Sequence, residues 1–292
     1  MEQVIQLAAV TRLPPGRHLL LPGRGRTFVR HLHRPARRQT VVLLHGWAAT
    51  ADLNWGASYT VLGEHFDVVG VDHRGHGRGA RDTGPFTLEA CADDVAAVIR
   101  ELGVGPAIVA GYAMGGPIAQ LVWRRHPELV AGLVLCATSD VFCASTRDRA
   151  MFAAATGAAA MARARPSKAA VRFLGGQVAR HRRLPATPGG GVAAHDWAQV
   201  LEAARELGRF DSRGWLPRVD VPVATVTTLH DTVVPTARQR AMASRLRPVA
   251  GADIDGGHIA CMRAGSGFVD ALVTMCRAVG RASASRGLQL VS

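Results

Sequence analysis

Lysine is almost missing from this chain of 292 residues: Lys168 is the single one, so the 35 basic residues counted as Lys plus Arg are nearly all arginine. That changes the meaning of the formal charge of +13. Arg37, Arg74, Arg124, Arg163, Arg182 and Arg218 are strung along the whole length, and no basic stretch is interleaved with aromatics, which account for only 5% of residues. A dispersed arginine bias of this kind, such as a high-GC coding sequence produces, argues against nucleic-acid binding and leaves only weak attraction to anionic lipid or anionic substrates. Long apolar runs are absent as well. No stretch could span a bilayer, and Met1 to Pro15 has neither a basic n-region nor a continuous apolar h-region, so stable membrane insertion and a secretory leader are not expected. The five cysteines (Cys91, Cys136, Cys143, Cys261, Cys276) are odd in number and scattered, which suits a reducing compartment, with the cytoplasm as the expected location, and not a disulfide framework.

What the chain does contain is 48% hydrophobic residues, arranged as short strand-like runs alternating with helical ones. That alternation predicts an α/β domain whose mostly parallel sheet is covered on both faces. The most informative segment is Gly111-Tyr112-Ala113-Met114-Gly115. The apolar run 107–110 precedes it and a helix-compatible stretch, Gly116 to Arg125, follows, which is the strand–turn–helix setting of a G-x-S-x-G nucleophile elbow with alanine in place of serine. Three further segments accompany it. Val41 to Leu44 opens into His45-Gly46-Trp47; Val223 to Thr228 runs into Leu229-His230-Asp231-Thr232-Val233-Val234-Pro235; and the short piece Ala252 to Ile254 leads to Asp255-Gly256-Gly257-His258. A fifth, Asp72-His73-Arg74-Gly75-His76-Gly77, follows the run Val68 to Val71.

Taken together, and in this order, these segments resemble the α/β-hydrolase family over roughly residues 17 to 280. The resemblance implies an α/β-hydrolase fold with an inserted helical cap: a core at 17–138 and 211–280, a cap at 139–210, and a polar tail at 281–292. It also implies roles. Ala113 occupies the nucleophile position, His258 is the base, Asp231 the acid that orients it, and the Trp47 and Met114 backbone N–H groups form the oxyanion hole. Asp140, after the strand Leu133 to Leu135, is the reserve acid, because some members of the family take the acid from that strand end. Gly79 stands where the family often has serine, a difference expected to affect the turn and not the chemistry.

Each residue also has a plainer explanation. Gly-Gly-His in isolation is an ordinary turn beside a histidine; Asp231 could cap a helix starting near Thr236; the Trp47 indole could simply wall a pocket. His73 and His76 lie near an aspartate, but no cysteine or carboxylate cluster stands at ligand spacing, so no metal is expected there. In the cap, Arg149 to Ala164 is alanine-rich and helix-prone, while Leu184 to Gly191 is a Pro/Gly loop. Phe142, Met151, Phe152, Met161, Phe173 and Trp197 line either an apolar acyl pocket or the seam between cap and body.

The implied parent activity is carboxylic-ester hydrolysis on a small-molecule acyl substrate without any cofactor. Without a hydroxyl at position 113 no acyl-enzyme can form, so the chain is expected to bind and barely turn over. The intact histidine, acid and oxyanion loop favour a hydrolase that has lost one side chain. The alternative is a naturally serine-less protein, either an enzyme using His258 and Asp231 as a general base or a ligand-binding pseudoenzyme.

Overall fold

The structure is a computed structural model that describes residues 13–33, 39–81, 84–146, 148–150, 152–154, 156–157 and 194–289. Runs rich in Val, Leu, Ile and Ala become the inner strands β3 (Thr40–Leu44), β4 (Asp67–Val71), β5 (Ala107–Tyr112), β6 (Val130–Cys136) and β7 (Val223–Thr228), with β8 (Ala250–Ile254) at one edge. Two strands that the sequence reading did not place, β1 (Gly16–Leu21) and β2 (Gly25–Leu32), form the other edge. All eight make one sheet in the order β1-β2-β4-β3-β5-β6-β7-β8. Strands β3 to β8 are parallel to one another, and β1 and β2 join antiparallel.

Alternation along each strand decides which layer each side chain enters. On β3, Val42 and Leu44 pack with helix α3 (Leu88–Leu102) and helix α4 (Gly115–Arg125), whereas Val41 and Leu43 pack on the opposite face with α1 (Ala51–Trp55), α2 (Tyr59–Leu62) and the last helix. Both faces are buried, which is why the inner strands read as continuous apolar runs. The α3 helix is bounded by its own sequence: the Thr87 hydroxyl accepts from the Ala90 N–H at one end, and Gly103 takes the left-handed conformation, φ 63°, at the other. Helix α5 (Trp197–Arg209) starts on Asp196, which accepts from the Ala198 and Gln199 N–H groups, and α6 (Thr236–Leu246) follows the turn after β7.

In the segment expected to be a cap, several of the described apolar side chains pack inward. Phe142, Ala203, Leu207 and Phe210 belong to the same apolar cluster as α3 and α4. Phe152 fits against Gly208, where a Cβ would come within 2.6 Å of its ring. These two phenylalanines therefore sit in the seam. Trp197 makes an edge contact with His195 at 5.4 Å between centroids. Met151, Met161, Phe173 and the loop 184–191 lie outside the described residues. The C-terminus differs from expectation. The chain from Arg281 onward is not an irregular tail up to residue 289; it continues helix α7 (Phe268–Gln289), because its Ala, Arg and Ser residues carry no breaker until late and the Ser285 hydroxyl bonds back to the Arg281 carbonyl.

Strand order reverses at β3, whose neighbours are β4 and β5. In an open parallel sheet the crevice outside the carboxyl ends at such a point is where ligands bind. Residues 45–47 leave β3 there, and residue 113 leaves β5 beside them.

Candidate active site

The turn after β5 is forced into a narrow geometry by close packing. Ala113 has φ 49°, in the left-handed region where a side chain carries steric cost, and is almost fully buried. Its carbonyl accepts from the Gly116 N–H at 3.0 Å and from the Thr138 hydroxyl at 2.7 Å, while its N–H donates to the Cys136 carbonyl at 3.0 Å. The surrounding glycines are there because nothing larger fits. A Cβ on Gly111 would stand 2.2 Å from the Gly115 carbonyl oxygen, one on Gly115 2.1 Å from the Leu44 oxygen, and one on Gly116 2.2 Å from the Thr138 hydroxyl. The last two contacts lock α4 onto the ends of β3 and β6, so the N-terminus of α4, with its partial positive charge, points into the crevice.

The loop after β3 approaches the same point. A Cβ added at Gly46 would lie 3.3 Å from the Ala113 Cβ. The loop is tied down from several sides: Gly46 N–H donates to Asn54 Oδ1 at 2.9 Å, and Asn54 Nδ2 reaches Cys261 Sγ at 3.2 Å, beside the His258 loop. His45 is fully buried and fixed as the Nδ1–H tautomer, because Nδ1 contacts the Gly46 carbonyl at 2.8 Å while Nε2 accepts from the His73 N–H at 3.0 Å. The Trp47 indole, 42% exposed, is not only a wall: its Nε1 donates to the Val200 carbonyl of α5 at 2.7 Å. Neither the Trp47 nor the Met114 backbone N–H has an acceptor among the described residues.

Asp231 and His258 meet. His258 Nδ1–H donates to Asp231 Oδ2 at 2.8 Å, which turns the other ring nitrogen away from the carboxylate. The carboxylate side chain is fully buried and accepts on Oδ2 from the Thr228 hydroxyl at 2.8 Å and Gln239 Nε2 at 3.2 Å, and on Oδ1 from the Val233 and Val234 N–H groups at 2.9 and 2.8 Å. Burial alone would raise its pKa. The His258 hydrogen bond and charge, with the Val234 N–H and Thr228, outweigh burial and hold the carboxyl below its ordinary value. Asp231 does not cap α6, which begins on Pro235 without a side-chain cap. The reserve acid, Asp140, is elsewhere, buried against Arg245 at 2.8 Å. His258 is fixed to the elbow by Tyr112, whose hydroxyl donates to the His258 carbonyl at 2.8 Å and whose ring lies 5.8 Å from the imidazole.

The turn after β4 supports the site without entering it. Asp72 accepts from the Ala51 N–H at 2.8 Å and the Arg78 N–H at 3.0 Å, and Arg74 makes a bidentate pair with Asp94 at 2.7 and 2.8 Å. His73 and His76 are buried, and His76 Nδ1 contacts the Arg74 carbonyl at 3.1 Å. Gly79 has a steric reason: a Cβ would stand 2.0 Å from the His73 carbonyl oxygen, so serine cannot occupy this turn as it is folded. His195, which the sequence reading did not single out, accepts from the Gly77 N–H at 2.7 Å and is held neutral by burial, its pKa lowered to about 4. Tyr112, Asn54, Thr228 and Gln239 were likewise not singled out. Tyr112 alone carried a local signal, its place inside the elbow.

A family model for the alpha/beta hydrolase fold matches residues 39–183. The chain is 32% identical over 232 residues to the protein named Putative carbamate hydrolase RutD of Caulobacter sp. (strain K31), an alignment covering 76% of this chain and 84% of that protein. It is 41% identical over 104 residues to the pimeloyl-[acyl-carrier protein] methyl ester esterase of Sodalis glossinidius, covering 36% of this chain and only 38% of that one. Among solved structures, an enol-lactonase from Burkholderia xenovorans LB400 superposes with a TM-score of 0.70 at 21% identity, over 89% of this chain and 100% of that one. A thermophilic esterase from Thermogutta terrifontis superposes with a TM-score of 0.70 at 23% identity, over 91% and 99%. At such identities the two structures speak for the fold alone.

Proposed function

The chain belongs to the α/β-hydrolase fold family, and on that basis we propose that its site is that of a carboxylic-ester hydrolase lacking the nucleophile, able to hold an acyl substrate and nearly unable to cleave it. The observation that carries this is the His258–Asp231 hydrogen bond of 2.8 Å, which leaves a base oriented with no hydroxyl to deprotonate. The names of the relatives, an esterase and a carbamate hydrolase, support hydrolysis at an acyl carbon as the class.

With serine at position 113 the steps would be these. Oγ attacks the acyl carbon and its proton passes to the free ring nitrogen of His258; the carbonyl oxygen becomes an oxyanion held by the Trp47 and Met114 N–H groups. The alcohol leaves with that proton, and water, deprotonated by the same imidazole, releases the acid. Asp231 keeps the ring in the required tautomer and stabilises the imidazolium. An alanine methyl has neither lone pair nor proton to give. Helix α5, tied to the Trp47 indole through the Val200 carbonyl, serves as the part of a cap that shapes the pocket and excludes water.

The test is Ala113→Ser. It should gain hydrolysis of short-chain activated esters and a fluorophosphonate adduct visible by intact mass, and both should vanish when His258→Ala is added. Losing the serine of a triad costs on the order of 10⁶ in kcat in the protease template, so the gain should be of several decades. A folded Ala113→Ser protein with neither activity nor adduct would overturn the proposal. A second reading is favoured by the same intact dyad: His258 acts as a general base for a non-hydrolytic reaction. It requires turnover by the Ala113 protein itself that His258→Ala abolishes, whereas the hydrolase proposal has an ester bind the Ala113 protein unconsumed and His258→Ala change little.

A further inference from the structure

A second set of convergent side chains lies at the opposite pole of the sheet. His31 lies on β2 and His33 is the residue just beyond its last position, Leu32, so in extended chain the two fall on the same face. Strand β2 pairs antiparallel with β4, His31 opposite Val69 and Leu32 opposite Val68, which sets His33 opposite Asp67 at the amino end of β4. The ligand atoms of His31, His33 and Asp67 all lie within 4.8 Å of one another. His33 Nδ1 is 3.0 Å from Asp67 Oδ2, the two imidazoles are 5.6 Å apart between centroids, and His31 Nε2 is buried with no hydrogen-bond partner. All three line a cavity of about 910 Å³.

We propose that His31, His33 and Asp67 bind one divalent transition-metal ion of the Zn²⁺ type, with the remaining coordination position open to the cavity. Two imidazoles and one carboxylate are a donor set for Zn²⁺, Co²⁺ or Ni²⁺ and not for Mg²⁺ or Ca²⁺. Metal–ligand bonds of about 2.0–2.2 Å place tetrahedral ligand atoms roughly 3.3–3.6 Å apart. His33 Nδ1 and Asp67 Oδ2 already stand at 3.0 Å, and with its side chain 67% exposed His33 has room for the small adjustment that the full set needs. The ion would also satisfy His31 Nε2, a buried nitrogen otherwise without a partner. Arg17 lines the same cavity, and its charge opposes the cation, so binding should be of moderate affinity. The site is separate from the acyl site: β3 runs from this pole to the other, a distance of about 15 Å at roughly 3.3 Å per residue. Its effect is to clip β2 to β4 where the chain leaves β2.

The experiment uses the tag-free full chain stripped with a chelator. Zn²⁺ is titrated by calorimetry, Co²⁺ by its visible absorption, and thermal unfolding is followed with and without Zn²⁺. One equivalent should bind, with the Co²⁺ spectrum of a nitrogen- and oxygen-ligated centre, and Zn²⁺ should raise the melting temperature. His33→Ala and Asp67→Asn should each weaken binding tenfold or more and remove the thermal shift, while His258→Ala and His230→Ala leave both unchanged. Should Asp67→Asn fail to fold, His33→Ala, at an exposed position, decides the matter. No saturable binding, or full affinity retained in His33→Ala, overturns the proposal.

Discussion

Replacing Asp231 by asparagine tests the acid and its surroundings in one step. The carboxylate is acceptor-only and receives five donors: the N–H groups of Val233 and Val234 on Oδ1, and Thr228, Gln239 and His258 on Oδ2. An asparagine amide must turn its NH₂ toward one of these groups. Toward Val233 and Val234 it opposes two backbone donors that cannot move; toward the other side it opposes the Gln239 amide and the His258 N–H. Either way about two buried donors lose their acceptor, at roughly 1–3 kcal/mol each, so a loss of about 3 kcal/mol at neutral pH is expected. The loss should depend on pH. Because the folded pKa of Asp231 is depressed, its stabilisation is fully present above the unfolded value of about 3.9 and disappears as pH falls through the folded value. Urea unfolding of parent and Asp231→Asn from pH 7 down to pH 3 should therefore give curves that converge in acid. A variant within about 0.5 kcal/mol of the parent at pH 7, or a difference that stays constant to pH 3, would rule out this role for the Asp231 carboxylate.

Gly115→Ala should cost at least about 1–3 kcal/mol, since its Cβ would meet the Leu44 carbonyl oxygen at 2.1 Å and the obstacle is backbone, not a side chain that can rotate. Thermal unfolding measures the loss, and in the Ala113→Ser background the same change should lower esterase kcat/KM by pushing the Met114 N–H away from that of Trp47; a parent-like melting temperature would count against the packing argument. Trp47→Phe keeps an aromatic ring, though one smaller than the indole, and removes the hydrogen bond to the Val200 carbonyl, worth about 1 kcal/mol. Amide exchange across Trp197 to Arg209 should then accelerate, and unchanged protection would mean that α5 is held by its apolar face alone.

How much of this was legible beforehand depended on whether the signal was local. The inner strands were readable because burial on both faces makes Val41 to Leu44 and Val68 to Val71 free of polar side chains, and fills Val223 to Thr228 with β-branched Val and Thr. The edge strands were not. Arg17, His18, Arg26 and Arg30 break the run where β1 and β2 face solvent or partner charges, as Arg30 does with Asp52 at 2.8 Å. The Asp231–His258 pair was nominated through the turns that carry the two residues. Gln239 was invisible because its role depends on a helix face meeting a strand end, and His31, His33 and Asp67 converge only through the register of β2 on β4.

Under the proposed function, the turn at Ala113 makes the exchange of alanine for serine an isolated change. Its strain is carried by the backbone: position 113 has φ 49° because Gly111, Gly115 and Gly116 admit no side chain and because Cys136 and Thr138 fix the Ala113 peptide groups. Holding a Cβ in that conformation costs about 1–2 kcal/mol whether the residue is alanine or serine. Neither partner of the turn is a hydroxyl at position 113, so its absence relaxes nothing, and the helix terminus, the Trp47 loop and the His258–Asp231 pair stay where a hydroxyl would need them. Adding one oxygen atom at Cβ should therefore change the chemistry of the site and leave its architecture alone, which is what lets the presence or absence of a gained activity be read directly as a statement about the proposed dyad and oxyanion donors.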